Sequence, residues 1–218
     1  MARTCSVEAL VLHAYDVGEA DRFLLLFTRE RGRLAARARG VRRLGSRMGG
    51  HLLAHQHLSL TLAESSAGWT VTSAQRLNHS AALPIEQFAM AEEGCELLLA
   101  LLHDEEALPA IFDLTLHFLQ SCREGQGDPV LAFSLELLRL LGLLPAVTEK
   151  EFPGHLAPQA IRTIEEALRS SGSLASLPPA LLRSLSILCR ERIEEHANRT
   201  SRCLSVTRQL KEWAVPAR

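Results

Sequence analysis

The chain has 218 residues, 47% of them hydrophobic, which is enough apolar material for one large core or two modest ones. Its formal net charge of −1 at pH 7 would by itself discourage a nucleic-acid reading, and no apolar run approaches the roughly 18 residues that a membrane-spanning helix requires. The five cysteines, Cys5, Cys95, Cys122, Cys189 and Cys203, are scattered with no short pair spacing, which suggests neither a disulfide framework nor a compact zinc site and points to reduced thiols in a cytoplasmic protein.

Met1 to Asp16 does not resemble a secretory signal, because Glu8 and His13 break its short apolar run. Val7–His13 and Arg22–Thr28 are rich in β-formers and flank the turn-like Asp16–Asp21, so they are expected to be the first two strands. Gly32–Arg39 is expected as the third, with Arg33, Ala35, Arg37 and Arg39 of one parity and Leu34, Ala36 and Ala38 of the other. In a strand the first set faces outward and the second packs inside. His51–Leu62 is the expected fourth strand and Trp69–Ala74 the last, after a Ser65-Ser66-Ala67-Gly68 turn. Short strands at this spacing, with glycine at the joins, suggest a small β-barrel.

The stretch Arg29–Arg47 holds eight arginines and a single carboxylate, a local charge of +7 inside a nearly neutral chain. Residues 1–75 carry +4 overall and residues 76–218 carry −5, so the two parts are expected to do different jobs. Such a run can be no more than a solvated face. Two features argue against that here: the charges are of one sign, and the planar fork of arginine suits phosphate. Gly40–Gly50, with Arg42, Arg43 and Arg47 among four glycines, reads as a mobile basic loop. The predicted ligand is the backbone of a polyanion, held by Arg33, Arg37, Arg39, Arg42, Arg43 and Arg47 with little sequence preference.

After Gln75 the texture becomes leucine-rich with a helical period, and prolines stand at expected first positions of helices. Ile85–His103, Ala110–Cys122, Val130–Leu143, Gln159–Arg169, Ala180–His196 and Ser201–Trp213 are the expected helices. Gly94 weakens the first. The third is apolar almost all round, as a central helix must be. The fold class is therefore α+β, with residues 1–76 as a barrel domain and 77–218 as an all-α helical domain.

Other chemistry is poorly supported. Among the aromatics, Phe23 and Phe27 share a strand face with Leu25 and are expected in the core, while Trp69 and Tyr15 are the candidates for touching a base. His51, His55 and His57 invite a metal reading, but no neighbouring acid or thiol completes a ligand set. Glu19 and Asp21 are spaced like a magnesium-holding pair, yet no phosphate loop or nucleophile turn accompanies them, so ion pairing with arginines explains them better and no catalytic residue is expected.

Read in order, Glu8-Ala9-Leu10-Val11-Leu12, Gly18-Glu19-Ala20-Asp21-Arg22, Leu26-Phe27-Thr28, Gly32, Ala38-Arg39-Gly40-Val41-Arg42-Arg43 and Ser46-Arg47 resemble the bacterial recombination mediator family RecO. The likeness continues more faintly through Leu138–Pro145. It implies an OB-fold barrel followed by a helical domain, with a basic barrel surface at the six arginines named above. It also implies a non-enzymatic, nucleoid-associated protein that binds single- and double-stranded DNA, anneals complementary strands and assists recombinase loading onto strands coated by single-strand binding protein (SSB). The implied partners are RecR and the C-terminal tail of SSB, with RecF and RecA as further ones. Many relatives carry four zinc-binding cysteines after the apolar helix. Here Ala146–His155 contains none, so no metal and no cofactor are expected. Arg139, Arg183 and Arg190 are the candidates for docking the SSB tail. The competing reading is a helical protein-interaction adaptor whose basic barrel binds an acidic protein or RNA.

Overall fold

A computed structural model describes residues 3–78, 83–125, 127–144, 174 and 177–197. Five strands come first: β1 (Arg3–Val17), β2 (Asp21–Thr28), β3 (Gly32–Ala38), β4 (His57–Ser65) and β5 (Gly68–Arg76). They close into a barrel in the order β1-β2-β3-β5-β4, and every pair is antiparallel except β3 with β5. This is the strand arrangement of an OB-fold. Closure depends on the length of β1. Its Arg3–Leu10 portion pairs with β4 and its Ala9–Val17 portion with β2, with a register shift between Val11 and His13 that lets it bend from one neighbour to the other.

Alternation fills the interior, in β3 with the parity the sequence predicts and in β2 with the parity opposite to the expected Phe23-Leu25-Phe27 face. Leu24 and Leu26 of β2, Leu34, Ala36 and Ala38 of β3, and Leu58, Leu60 and Leu62 of β4 are all buried in one cluster. The start of β4 differs from expectation, since His51–Gln56 belongs to the turn-rich connection after β3. His55 takes a left-handed conformation there (φ 61°), its N–H donates to the Val11 carbonyl, and the Val11 N–H donates to the Gln56 carbonyl. The connection is also more firmly held than a mobile loop would be. Val41 and Leu52 are buried in the barrel core. Arg22 donates to the carbonyls of Gly49 (3.3 Å) and Leu52 (2.9 Å), and Arg76 donates to that of Gly50.

The chain divides into two compact units. The first contains the strands and also Leu102–Phe112, which returns to the barrel after the first helix. This returning segment adds a short parallel bridge beside β3, where Asp104 pairs with Arg33 and the Glu105 N–H donates to the Arg33 carbonyl (2.8 Å). Phe112 lies 5.6 Å from the Phe27 ring, and the Arg29 guanidinium sits 4.7 Å above the Phe112 ring. Gly32 is required where the segment crosses. It has φ +67°, and a Cβ there would lie 1.8 Å from the Glu106 carbonyl oxygen.

The second unit is helical. Among the described residues its helices are α1 (Ile85–Leu101), α2 (Pro109–Glu124, whose first residues lie in the barrel unit), α3 (Pro129–Leu140) and α4 (Pro179–His196). The expected helices at Gln159–Arg169 and Ser201–Trp213, and the cysteine-free Ala146–His155, lie outside the described residues. Asp128 caps α3 by accepting the Leu131 N–H at 3.1 Å, and Pro129 opens it. Most of α3 is buried, including Phe133, Leu135, Leu137 and Leu138, as its all-round apolar character demands. Gly94 has a packing reason: a Cβ there would lie 2.2 Å from the Phe118 ring, which in turn stacks on Phe133 at 4.3 Å. Among the described residues no helix is long and apolar enough to cross a membrane.

Candidate nucleic-acid interface

The outer face of β3 carries Arg33, Ala35 and Arg37, while Leu34, Ala36 and Ala38 point inward. The six arginines singled out in the sequence fall into three situations. Arg33 is tied to the returning segment, its Nε 2.7 Å from an Asp104 carboxylate oxygen. Arg37 and Arg42 are exposed but steered by acids of the β1–β2 hairpin. Arg39, Arg43 and Arg47 are exposed beyond the end of β3, which stops at Ala38, one residue short of the expected strand.

Asp21 organises the second group. Arg37 contacts its Oδ2 through Nη2 (2.7 Å) and Nε (2.8 Å), while the Gly40 N–H donates to its Oδ1 (2.8 Å). The Gly40 N–H and then the Arg37 guanidinium hold the Asp21 carboxyl below the ordinary aspartate range. Asp21 is thus occupied in orienting Arg37 and in fastening the end of β3. Arg42 reaches the same hairpin. Its Nε lies 3.3 Å from Asp16, its Nη1 donates to the Gly18 carbonyl (2.9 Å), and its N–H donates to the Ala20 carbonyl (2.9 Å). Arg37, Arg39 and Arg42 are therefore gathered about the end of the β1–β2 hairpin, and Arg43 and Arg47 continue the positive charge along the following connection.

Two neighbouring arginines in the same run serve the fold. Arg31 lies 4.8 Å above the Trp69 ring and 3.4 Å from Glu105, and the Trp69 Nε1–H donates to Glu105 at 3.5 Å. Arg29 binds Glu8 at 2.7 Å. Trp69, only 8% exposed, is therefore covered by Arg31 and the returning segment. Tyr15 is open to solvent. Phe27 is fully buried and Phe23 is 37% exposed, and neither belongs to the barrel core cluster, which corrects the expectation that their face is the core face. The pair share an outward parity, and the returning segment covers only the end that holds Phe27.

The histidines do not converge. His55 precedes β4 and is buried, whereas the His57 Nε2 lies 2.8 Å from Glu8 and its Nδ1 lies 3.2 Å from the Asn78 side chain. Among the described residues no group of three His, Cys, Asp or Glu side chains is placed to hold a metal ion. In the helical unit Arg139 is clamped to Glu136 (2.5 and 2.8 Å), while Arg183 and Arg190 are exposed on α4 with the exposed Ile187 between them.

Comparison with known proteins gives a consistent result along the chain. A family model described as recombination protein O N terminal matches residues 1–77, and one described as recombination protein O C terminal matches residues 84–155. The protein named DNA repair protein RecO from Desulforudis audaxviator is 32% identical over 211 residues, covering 95% of this chain and 79% of that protein. Its namesake from Heliobacterium modesticaldum is 37% identical over 149 residues, or 67% of this chain and 54% of that protein. The namesake from a Nocardioides strain reaches 49% over 70 residues, 32% of this chain and 29% of that protein. Against the Heliobacterium protein the matched chain thus spans about half the relative's length.

Proposed function

The chain belongs to the recombination protein O family, and on that premise we propose that it is a non-enzymatic mediator of DNA repair by homologous recombination. It binds single- and double-stranded DNA, brings complementary strands together, and assists a recombinase onto strands coated by SSB. It acts in the cytoplasm, at the nucleoid. The observation that carries this reading is the cluster of exposed Arg37, Arg39, Arg42, Arg43 and Arg47 around and beyond the β1–β2 hairpin. Two strands repel through their phosphates, and a surface that neutralises both lowers that cost while leaving base edges free to pair.

The partners in this reading are RecR, the C-terminal tail of SSB, RecF and RecA. An acidic, apolar tail needs an arginine beside exposed apolar surface. On α4, Arg183, Ile187 and Arg190 follow one another at helical spacing and are exposed, which supports them over Arg139, already engaged by Glu136.

The test is annealing of two complementary labelled strands coated with SSB, with the unmodified protein and an Arg42→Glu/Arg43→Glu form across a salt series. The double substitution should weaken affinity for all sequences alike. Its slope of log affinity against log salt should be shallower by roughly 1.4 on single strands, for two lost phosphate contacts. Selective loss on one sequence contradicts backbone binding. Indifference of the unmodified protein to DNA at low salt, with retained binding to an acidic protein, would replace the mediator reading by an adaptor.

A further inference from the structure

We propose that Tyr15 and Phe23 form a stacking platform for unpaired bases, so that the barrel holds a single strand by its bases as well as by its phosphates. The inference rests on the DNA-binding reading above and specifies which ligand the outer face of the barrel prefers. Tyr15 of β1 pairs in register with Phe23 of β2, and Phe23 pairs in register with Arg37 of β3. Residues directly opposite on antiparallel strands lie on the same face, with Cβ atoms about 5 Å apart. The row Tyr15, Phe23, Arg37 therefore runs across three strands on the outside, since Leu24 and Ala36, of opposite parity, are buried.

Both rings are open to solvent, Tyr15 at 48% and Phe23 at 37%. The other aromatics of the strands are consumed by the fold, Phe27 beneath Phe112 and Trp69 beneath Arg31. Tyr15 is also held in place, its ring 4.4 Å from that of His13 in a tilted contact. A cation flanks the rings. Arg37 is next in register to Phe23, and Asp21, which holds Arg37, has the same parity as Phe23 on β2. Asp16 and Asp21 offset part of the charge of Arg42 and Arg37, while the exposed Arg39, Arg43 and Arg47 leave the surroundings positive. An apolar, flat centre with a basic margin matches a strand whose bases are free, because each base has a π-face and each linkage a phosphate. A duplex has the same phosphates but keeps its bases stacked inside, so it gains nothing from the rings.

The test measures binding of the full chain to three labelled probes: an oligothymidylate, an abasic strand of equal length, and a hairpin duplex. Tyr15→Ala/Phe23→Ala should bind oligothymidylate about tenfold or more weakly and leave the abasic strand and the duplex unchanged. Tyr15→Trp/Phe23→Trp should restore oligothymidylate binding. The proposal is overturned if the alanine form binds oligothymidylate as tightly as the unmodified protein, or if it loses duplex binding equally. It is also overturned if the unmodified protein binds the abasic strand as tightly as oligothymidylate. An unchanged alanine form, alongside weakened binding of all three probes by Arg42→Glu/Arg43→Glu, sinks the platform and leaves the DNA-binding reading standing. Failure of the unmodified protein to bind any probe sinks both.

Discussion

At the scale of single residues, neighbouring side chains of one type have been put to different uses. Within Arg29–Arg47, Arg29 and Arg31 are covers for Phe112 and Trp69, Arg33 is tied to Asp104, and Arg37 is aimed by Asp21. Their sequence neighbourhood alone could not separate these roles, because Asp104 and Phe112 lie about seventy residues or more away along the chain. Gly32 shows the same dependence on a distant segment. Gly32→Ala should cost about 2–4 kcal/mol, combining the strain of a left-handed φ with displacement of the Glu106 carbonyl. A denaturant titration would measure it, and a loss of only a few tenths would mean that the returning segment is easily moved aside.

At the scale of elements, Glu8 joins three pieces of the barrel. Its carboxylate accepts from Arg29, just past β2, at 2.7 Å and lies 2.8 Å from the His57 Nε2 at the start of β4. Burial pushes this carboxyl up, but the hydrogen bonds to Arg29 and His57 outweigh burial and hold it below the ordinary glutamate range. A carboxyl whose folded pKa is depressed contributes stability above its unfolded pKa, and that contribution disappears as pH falls through the folded value. Glu8→Gln should therefore lower stability at neutral pH by about 1 kcal/mol and flatten the acid side of the profile. Melting temperatures from neutral to acid pH would check this, and parallel profiles for the two proteins would count against it. The strands and most helix starts were legible in the sequence because alternation, turn glycines and first-turn prolines are local signals. The beginning of β4 was not, since the left-handed turn at His55 is fixed by bonds to Val11. That Phe23 and Phe27 share one face of β2 was also legible, but that the barrel interior takes Leu24 and Leu26 instead was not, since all five side chains are apolar and either parity could fill a core. Which of the two phenylalanines the fold covers was not legible either, because that depends on where Phe112 lands.

At the scale of the whole molecule, the six arginines of the candidate interface come from one short stretch, which is why the sequence could nominate them. The platform of Tyr15 and Phe23 emerges only when three strands are set in register. Sequence texture changes once, near Gln75, yet the chain passes from barrel unit to helical unit, back through Leu102–Phe112, and out again. A fragment ending at residue 78 lacks the cover over Phe27 and the acids that meet Arg31 and Arg33. It should melt well below the full chain and bind a hydrophobic dye, as calorimetry and dye fluorescence would show. Equal melting temperatures would mean that the strands are complete by themselves. The returning segment also bears on how such a protein can be inherited. A gene rearrangement that cut after β5 would carry off five strands without the piece of chain that seals them. An intact barrel therefore needs the first helix and the chain through Phe112 to travel with it.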